Sequence, residues 1–157
     1  MSRAFVKELD DAPPEPPLER PVSGAPNLVT ARGARLIEER VAELERAVGE
    51  ADEEAAPPLR RDLRYWLVRR AGARLVAPDP SPEAVGFGAR VTIRRGGKES
   101  RIRIVGEDEA DPEAGLIAWT SPLARALDEA EPGETVELAA GGRTVPVAIL
   151  AVEAGED

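Results

Sequence analysis

The sequence predicts an α+β protein: an N-terminal antiparallel helical hairpin, built as a short coiled coil, followed by a small antiparallel sheet domain with one helix. Three observations predict it. Apolar residues at heptad spacing run from Ala34 to Ala55. The double proline Pro57-Pro58 interrupts them, and a second apolar stripe follows. Beyond Pro78, Pro80 and Pro82 the pattern changes to short alternating runs around paired glycines. At 157 residues the chain has room for one domain with an appendage, or for two small ones.

The elements follow in order. Residues 1–28 hold Pro13, Pro14, Pro16, Pro17, Pro21 and Pro26, which predicts an extended or disordered arm. Residues 29–77 form the hairpin. Thr30 is the N-cap candidate, and Ala34, Ile37, Val41, Leu44, Val48, Ala51 and Ala55 form the seam of the first helix. The second helix starts with Pro58 in its first turn, carries Leu59, Leu63, Trp66, Leu67 and Ala73, and ends before Pro78. Residues 78–85 are a linker. In residues 86–153, Arg90–Arg94 and Arg101–Val105 alternate on either side of Gly96-Gly97 and predict a β-hairpin. Leu116–Trp119 is a third strand, and Ser121 caps a helix from Pro122 to Ala130. Thr135–Leu138 and Val145–Val152 complete the sheet around Gly141-Gly142.

Composition excludes several function classes. There is no Cys and no His, so thiol catalysis, Cys-ligated metals and Ser-His-Asp triads are out. Aromatic residues are 3%, too few for a stacking platform. The net charge of −9 argues against phosphate-backbone binding by the whole surface. The charge is uneven: residues 29–77 carry ten bases against nine acids, whereas residues 78–157 carry eight against sixteen. No apolar run approaches the ~18 residues of a membrane span, and the N-terminus lacks a signal-peptide core. A cytoplasmic protein is the expectation, with no membrane partner and no sequence-specific DNA binding.

Five segments in order resemble one known family: Phe87-Gly88-Ala89-Arg90-Val91; Ile104-Val105-Gly106-Glu107-Asp108-Glu109-Ala110-Asp111; Ser121-Pro122-Leu123-Ala124-Arg125-Ala126-Leu127; Gly133-Glu134-Thr135-Val136; and the Gly141-Gly142 turn. They are similar to the C-terminal domain of the bacterial Gre transcript-cleavage factors, GreA and GreB. Val29-Thr30 and Gly33 resemble the start of that family's N-terminal hairpin. The resemblance implies an FKBP-like C-terminal domain that docks at the rim of the secondary channel of bacterial RNA polymerase. It also implies a hairpin that projects towards the polymerase active site. Docking would fall to Asp108, Glu109, Asp111, Ser121, Pro122, Leu123 and Arg125.

In the family, acids at the hairpin tip help to hold a catalytic Mg²⁺ and cleave backtracked RNA. The tip here reads Gly49-Glu50-Ala51-Asp52-Glu53-Glu54-Ala55. Glu50 and Glu53 fall on the family's acids, Glu54 replaces its Asn, and Pro57-Pro58 stand near its missing aromatic. Glu50, Asp52 and Glu53 are therefore the candidate tip acids, with Glu50 and Glu53 ligating polymerase Mg²⁺ in trans. The chain needs no cofactor or metal of its own. The alternative reading is a solvated Glu-rich helix end. The second helix spans roughly 28 Å at 1.5 Å per residue. Set against the family it resembles, the hairpin is about three heptads of sequence shorter overall, and removal of whole heptads keeps the seam in register. Arg60, Arg61, Arg64, Arg69 and Arg70 make the second helix basic, for contact with the channel or backtracked RNA, or for pairing with Glu across the hairpin.

The leading expectation is an elongation regulator of Gre type, an accessory factor rather than an enzyme, with weak or no cleavage stimulation. The alternatives are a genuine cleavage factor, a relative of the regulator of nucleoside diphosphate kinase, and a peptidyl-prolyl isomerase. The last is poorly served by a domain whose aromatics are Phe87 and Trp119.

Overall fold

Thr30 sets the first corner of the chain. In the computed structural model, which describes residues 19–156, it follows the short strand β1 (Asn27–Val29) and caps α1 (Ala31–Glu50). Its hydroxyl accepts from the Gly33 amide at 3.0 Å. The seam is kept as far as Val48: Ile37 and Val41 are 1% exposed, with Ala34, Leu44 and Val48 half-buried. It stops short of Ala51 and Ala55 because Asp52 intervenes. Asp52 Oδ1 accepts from the amides of Glu54 (3.1 Å) and Ala55 (2.8 Å), which turns the chain and starts α2 (Ala56–Gly72). Pro57 and Pro58 sit inside the first turn of α2, where a missing N–H leaves no helical bond unmade.

α2 returns along α1. Arg70 Nη1 lies 3.6 Å from Glu38 Oε2 near one end, and Leu59 and Asp62 share a groove with Leu44 and Ala47 near the other. The helix ends at Gly72, earlier than its apolar stripe predicts. Ala73–Leu75 become β2, which pairs in parallel with β1 from Asn27↔Ala73 to Val29↔Leu75. Of the Pro-rich arm, residues 1–18 lie outside the described residues. Residues 19–26 run beside α2, where Glu19 hydrogen-bonds Arg64 at 3.0 and 3.1 Å. Arg20 stacks 3.8 Å above the Tyr65 ring. The arm's predicted last residues, Asn27 and Leu28, are strand.

The second half is a five-stranded sheet in which β5 (Leu116–Ala118), β4 (Lys98–Val105), β3 (Arg90–Arg95), β7 (Arg143–Glu153) and β6 (Thr135–Ala140) lie side by side in that order. β3 and β4 turn at Gly96-Gly97, both with positive φ. β6 and β7 turn at Gly141-Gly142, and β7 pairs antiparallel to β3. One expectation is corrected here. β5 pairs with β4 in parallel, because residues 106–115 cross over through two 3₁₀ turns, Glu107–Glu109 and Pro112–Ala114.

α3 (Pro122–Leu127), shorter than its predicted extent to Ala130, covers one face of the sheet. Val91, Ile93, Ile102, Ile104, Val147 and Ile149 pack there against Ala124 and Leu127. Burying Leu127 fully is worth about 1.5–3 kcal/mol. Val85, placed by the sequence in the linker, belongs to this core, and its backbone exchanges bonds with Glu129 and Ala130 at 2.9 Å. No helix among the described residues is long and apolar enough to cross a membrane.

Candidate functional site

Two acidic segments and the basic helix between them hold most of the predicted site residues. The segment after β4 lies at the joint between the helix pair and the sheet. Asp108 receives Tyr65 Oη on Oδ1 at 2.6 Å and Arg69 Nε on Oδ2 at 2.5 Å. The Arg69 and Asp108 side chains are only 3% and 7% exposed. Arg69 Nη2 also donates to Asn27 Oδ1 at 2.7 Å, and Asn27 Nδ2 donates back to the Arg69 carbonyl at 2.8 Å. Glu109 is buried as well. Its Oε1 accepts from the Thr30 hydroxyl at 2.5 Å, and its Oε2 lies 3.3 Å from Arg32 Nη1.

Two glycines permit this approach. A Cβ on Gly106 would meet the Leu28 carbonyl oxygen at 2.4 Å, and one on Gly33 would meet Glu109 Oε1 at 2.9 Å. The joint is therefore a network of polar groups in which each buried oxygen of Asp108 and Glu109 has a donor. Burial pushes the Tyr65 hydroxyl up to about 12, helped by its bond to the Asp108 carboxylate.

This geometry corrects three sequence assignments. Asp108 and Glu109 face inwards rather than forming an outer docking surface. Arg69 is spent inside the joint and cannot line a channel. Asp111 stays exposed on the following turn, with its backbone bridged to Leu116.

The tip is the opposite case. Glu50, Asp52, Glu53 and Glu54 are all exposed. Asp52 is committed to the turn, so it is a capping residue rather than a free acid. The Glu50 and Glu53 carboxylates make no hydrogen bond or ion pair with the described residues. No group of three metal-ligating side chains occurs among the described residues either.

The remaining basic residues of α2 divide. Arg60 is exposed without a partner among the described residues, Arg61 lies 3.3 Å from Asp62, Arg64 is engaged by Glu19, and Arg70 faces Glu38. On α3, the Ser121 hydroxyl accepts from the Ala124 amide at 3.2 Å. Leu123 packs on the core, and Pro122 and Arg125 are exposed. Arg125 borders a groove of about 290 Å³ lined by Leu28, Val85, Phe87, Ile104 and Trp119.

Sequence reasoning missed Asn27 and Tyr65. A signal for the joint existed in α2. Its apolar stripe calls for a residue between Trp66 and Ala73, and both Arg69 and Arg70 stand there. One guanidinium at the seam needs a buried partner.

Comparison with known proteins adds a family match over the second half of the chain. Residues 79–154 match the family model described as transcription elongation factor GreA/GreB, C-terminal. The transcription elongation factor GreB of Neisseria meningitidis is 38% identical over 96 residues, 59% of each chain. The transcription elongation factor GreA of Acidiphilium cryptum is 41% identical over 88 residues, 54% of this chain and 56% of its own. The chain thus spans under two thirds of these relatives' length. A solved structure of a GreA/GreB elongation factor from Nitrosomonas europaea covers 81% of this chain and 98% of its own, at 23% identity and a TM-score of 0.40.

Proposed function

We propose that this chain, whose residues 79–154 match the GreA/GreB C-terminal family model, binds bacterial RNA polymerase at the secondary channel and regulates elongation, with weak or no stimulation of transcript cleavage. The family match is the observation that carries this reading. On it, the sheet with α3 is an FKBP-like docking module, the exposed Pro122 and Arg125 lie on its polymerase side, and the helix pair is a projecting hairpin. The protein is cytoplasmic and accessory: RNA hydrolysis belongs to the polymerase. Weak cleavage follows from reach, since the 17 residues of α2 span roughly 26 Å at 1.5 Å per residue. The test is capture of core polymerase by the full chain, followed by elongation through a pause site. Failure to retain polymerase overturns the reading.

A second reading, a genuine cleavage factor, is favoured by the free carboxylates of Glu50 and Glu53 at the turn. A polymerase-bound Mg²⁺ would supply the charge that activates water, and this chain's part would be to present those two oxygen ligands. Cleavage of a backtracked complex by the wild type, lost in the Glu50→Ala, Glu53→Ala double variant, selects this reading. Equal activity in both removes the tip from the chemistry.

A further inference from the structure

The outer face of the five-stranded sheet carries arginines that neither the core nor the polymerase reading uses. Along β4, Ile102 and Ile104 face the core, so Arg101 and Arg103 point the other way. Arg103 is directly opposite Arg90 on β3, and Arg90 is opposite Glu153 on β7. Opposed residues share a sheet face with Cβ atoms roughly 4.5–5.5 Å apart, and like charges so placed repel. Arg32, from the first turn of α1, reaches the same place. The four arginines line one cavity of about 200 Å³, closed on one side by Ala114, Gly115 and Leu116 and bordered by Glu156.

Arg103 is held by the Gly88 and Glu156 carbonyls, whereas the carboxylates there engage only one nitrogen each of Arg32 and Arg101. Glu153 Oε2 meets Arg101 Nη2 at 3.1 Å, and Glu109 Oε2 meets Arg32 Nη1 at 3.3 Å. Glu109's other oxygen already serves Thr30. Glu156 contributes its backbone carbonyl, which accepts from Arg103 Nη1 at 2.8 Å. The Arg90 guanidinium makes no hydrogen bond or ion pair with the described residues. Each guanidinium offers five N–H groups in a planar fork.

We propose that this pocket binds a compact phosphoryl ligand of the diphosphate class, gripped by Arg90 and Arg101 from the sheet and by Arg32 from α1. Its oxygens accept donors from several directions, which suits forks arriving from a helix and two strands. The ligand is small because the acid excess of residues 78–157 repels an extended polyanion, while charges beyond about 8 Å are screened at physiological salt. Since Arg32 belongs to the helix pair and the others to the sheet, the bound ligand bridges the two halves beside the Asp108 joint.

The test is titration of the full chain with inorganic pyrophosphate, read as amide shifts by NMR. Saturable shifts are expected at Ala114, Gly115, Leu116 and Arg90, with the tip residues 49–55 unmoved. Arg90→Ala and Arg101→Ala are each expected to weaken binding about tenfold. Arg143→Ala, an exposed arginine at the far turn of the sheet, is expected to leave it unchanged. The paired variants keep the test decisive if one of them fails to fold. Shifts that do not saturate, or equal weakening by Arg143→Ala, overturn the proposal. A parallel titration with a nucleoside 5′-diphosphate separates the sources. Tighter binding than pyrophosphate with the same arginine dependence assigns the pocket to nucleotides, and equal affinity assigns it to the bare diphosphate; both support it.

Discussion

Two acidic runs of nearly the same composition have opposite fates. Glu50-Ala51-Asp52-Glu53-Glu54 ends the helix pair in solvent, and Glu107-Asp108-Glu109-Ala110-Asp111 lies at the joint, where Asp108 and Glu109 have every oxygen occupied. The difference comes from what stands opposite. The joint run faces Thr30, Arg32, Tyr65 and Arg69, all contributed by the helix pair. The tip run faces water. Acid density by itself therefore predicts nothing about role: donors brought from elsewhere in the chain turn one run into structure, while in the other only Asp52 is used and Glu50 and Glu53 stay in solvent.

The comparison is broken most severely at Asp108. Asp108→Ala strands Arg69 as a buried unpaired charge and is expected to cost about 3–5 kcal/mol, measured by urea unfolding. Thr30→Val removes both the α1 cap and the bond to Glu109, for an expected loss of about 1–2 kcal/mol by the same measurement.

Tyr65→Phe should cost about 1 kcal/mol near neutral pH, and its signature lies in alkali. Tyr65 is the sole tyrosine, so phenolate absorbance reports on it alone. The folded value of about 12 stands above the 10.0 of an ordinary tyrosine. The neutral phenol thus contributes its stability fully below about pH 10, and that contribution is lost as pH rises from there through about 12. Urea melts of the wild type should weaken across that window more than those of Tyr65→Phe, and equal slopes would refute the assignment. At the small end, Glu50→Gln with Glu53→Gln should change stability by no more than about 0.5 kcal/mol, since nothing in the fold uses those carboxylates. A larger loss would mean that the tip, too, is structural.

The helices, the paired-glycine turns and the alternating strands were legible in the sequence because each has a local cause. Thr30 and Ser121 were read as caps, and both are. The parallel β1–β2 and β4–β5 pairings were not legible. β1 and β2 are three residues each, separated by the whole helix pair, and β5 reaches β4 only through the crossover. Asp108 and Glu109 could be picked out as notable but not turned inwards. Their orientation depends on donors about forty and eighty residues away, and no local pattern encodes such a distance. Arg69 failed for the same reason: on a helix rich in arginine, only the tertiary fold distinguishes the buried one.

The β1–β2 ribbon has one more consequence. Its strands are only three residues each and pair from Asn27↔Ala73 to Val29↔Leu75, so the chain enters and leaves the helix pair through a single short doorway. An insert whose ends meet at one place behaves as a cassette. Whole heptads added or removed beyond Ile37 and before Leu63 leave the doorway, and the Arg69–Asp108 lock beside it, as they are. The length of the helix pair then becomes a quantity that selection, or an engineer, can set independently of the body that carries it.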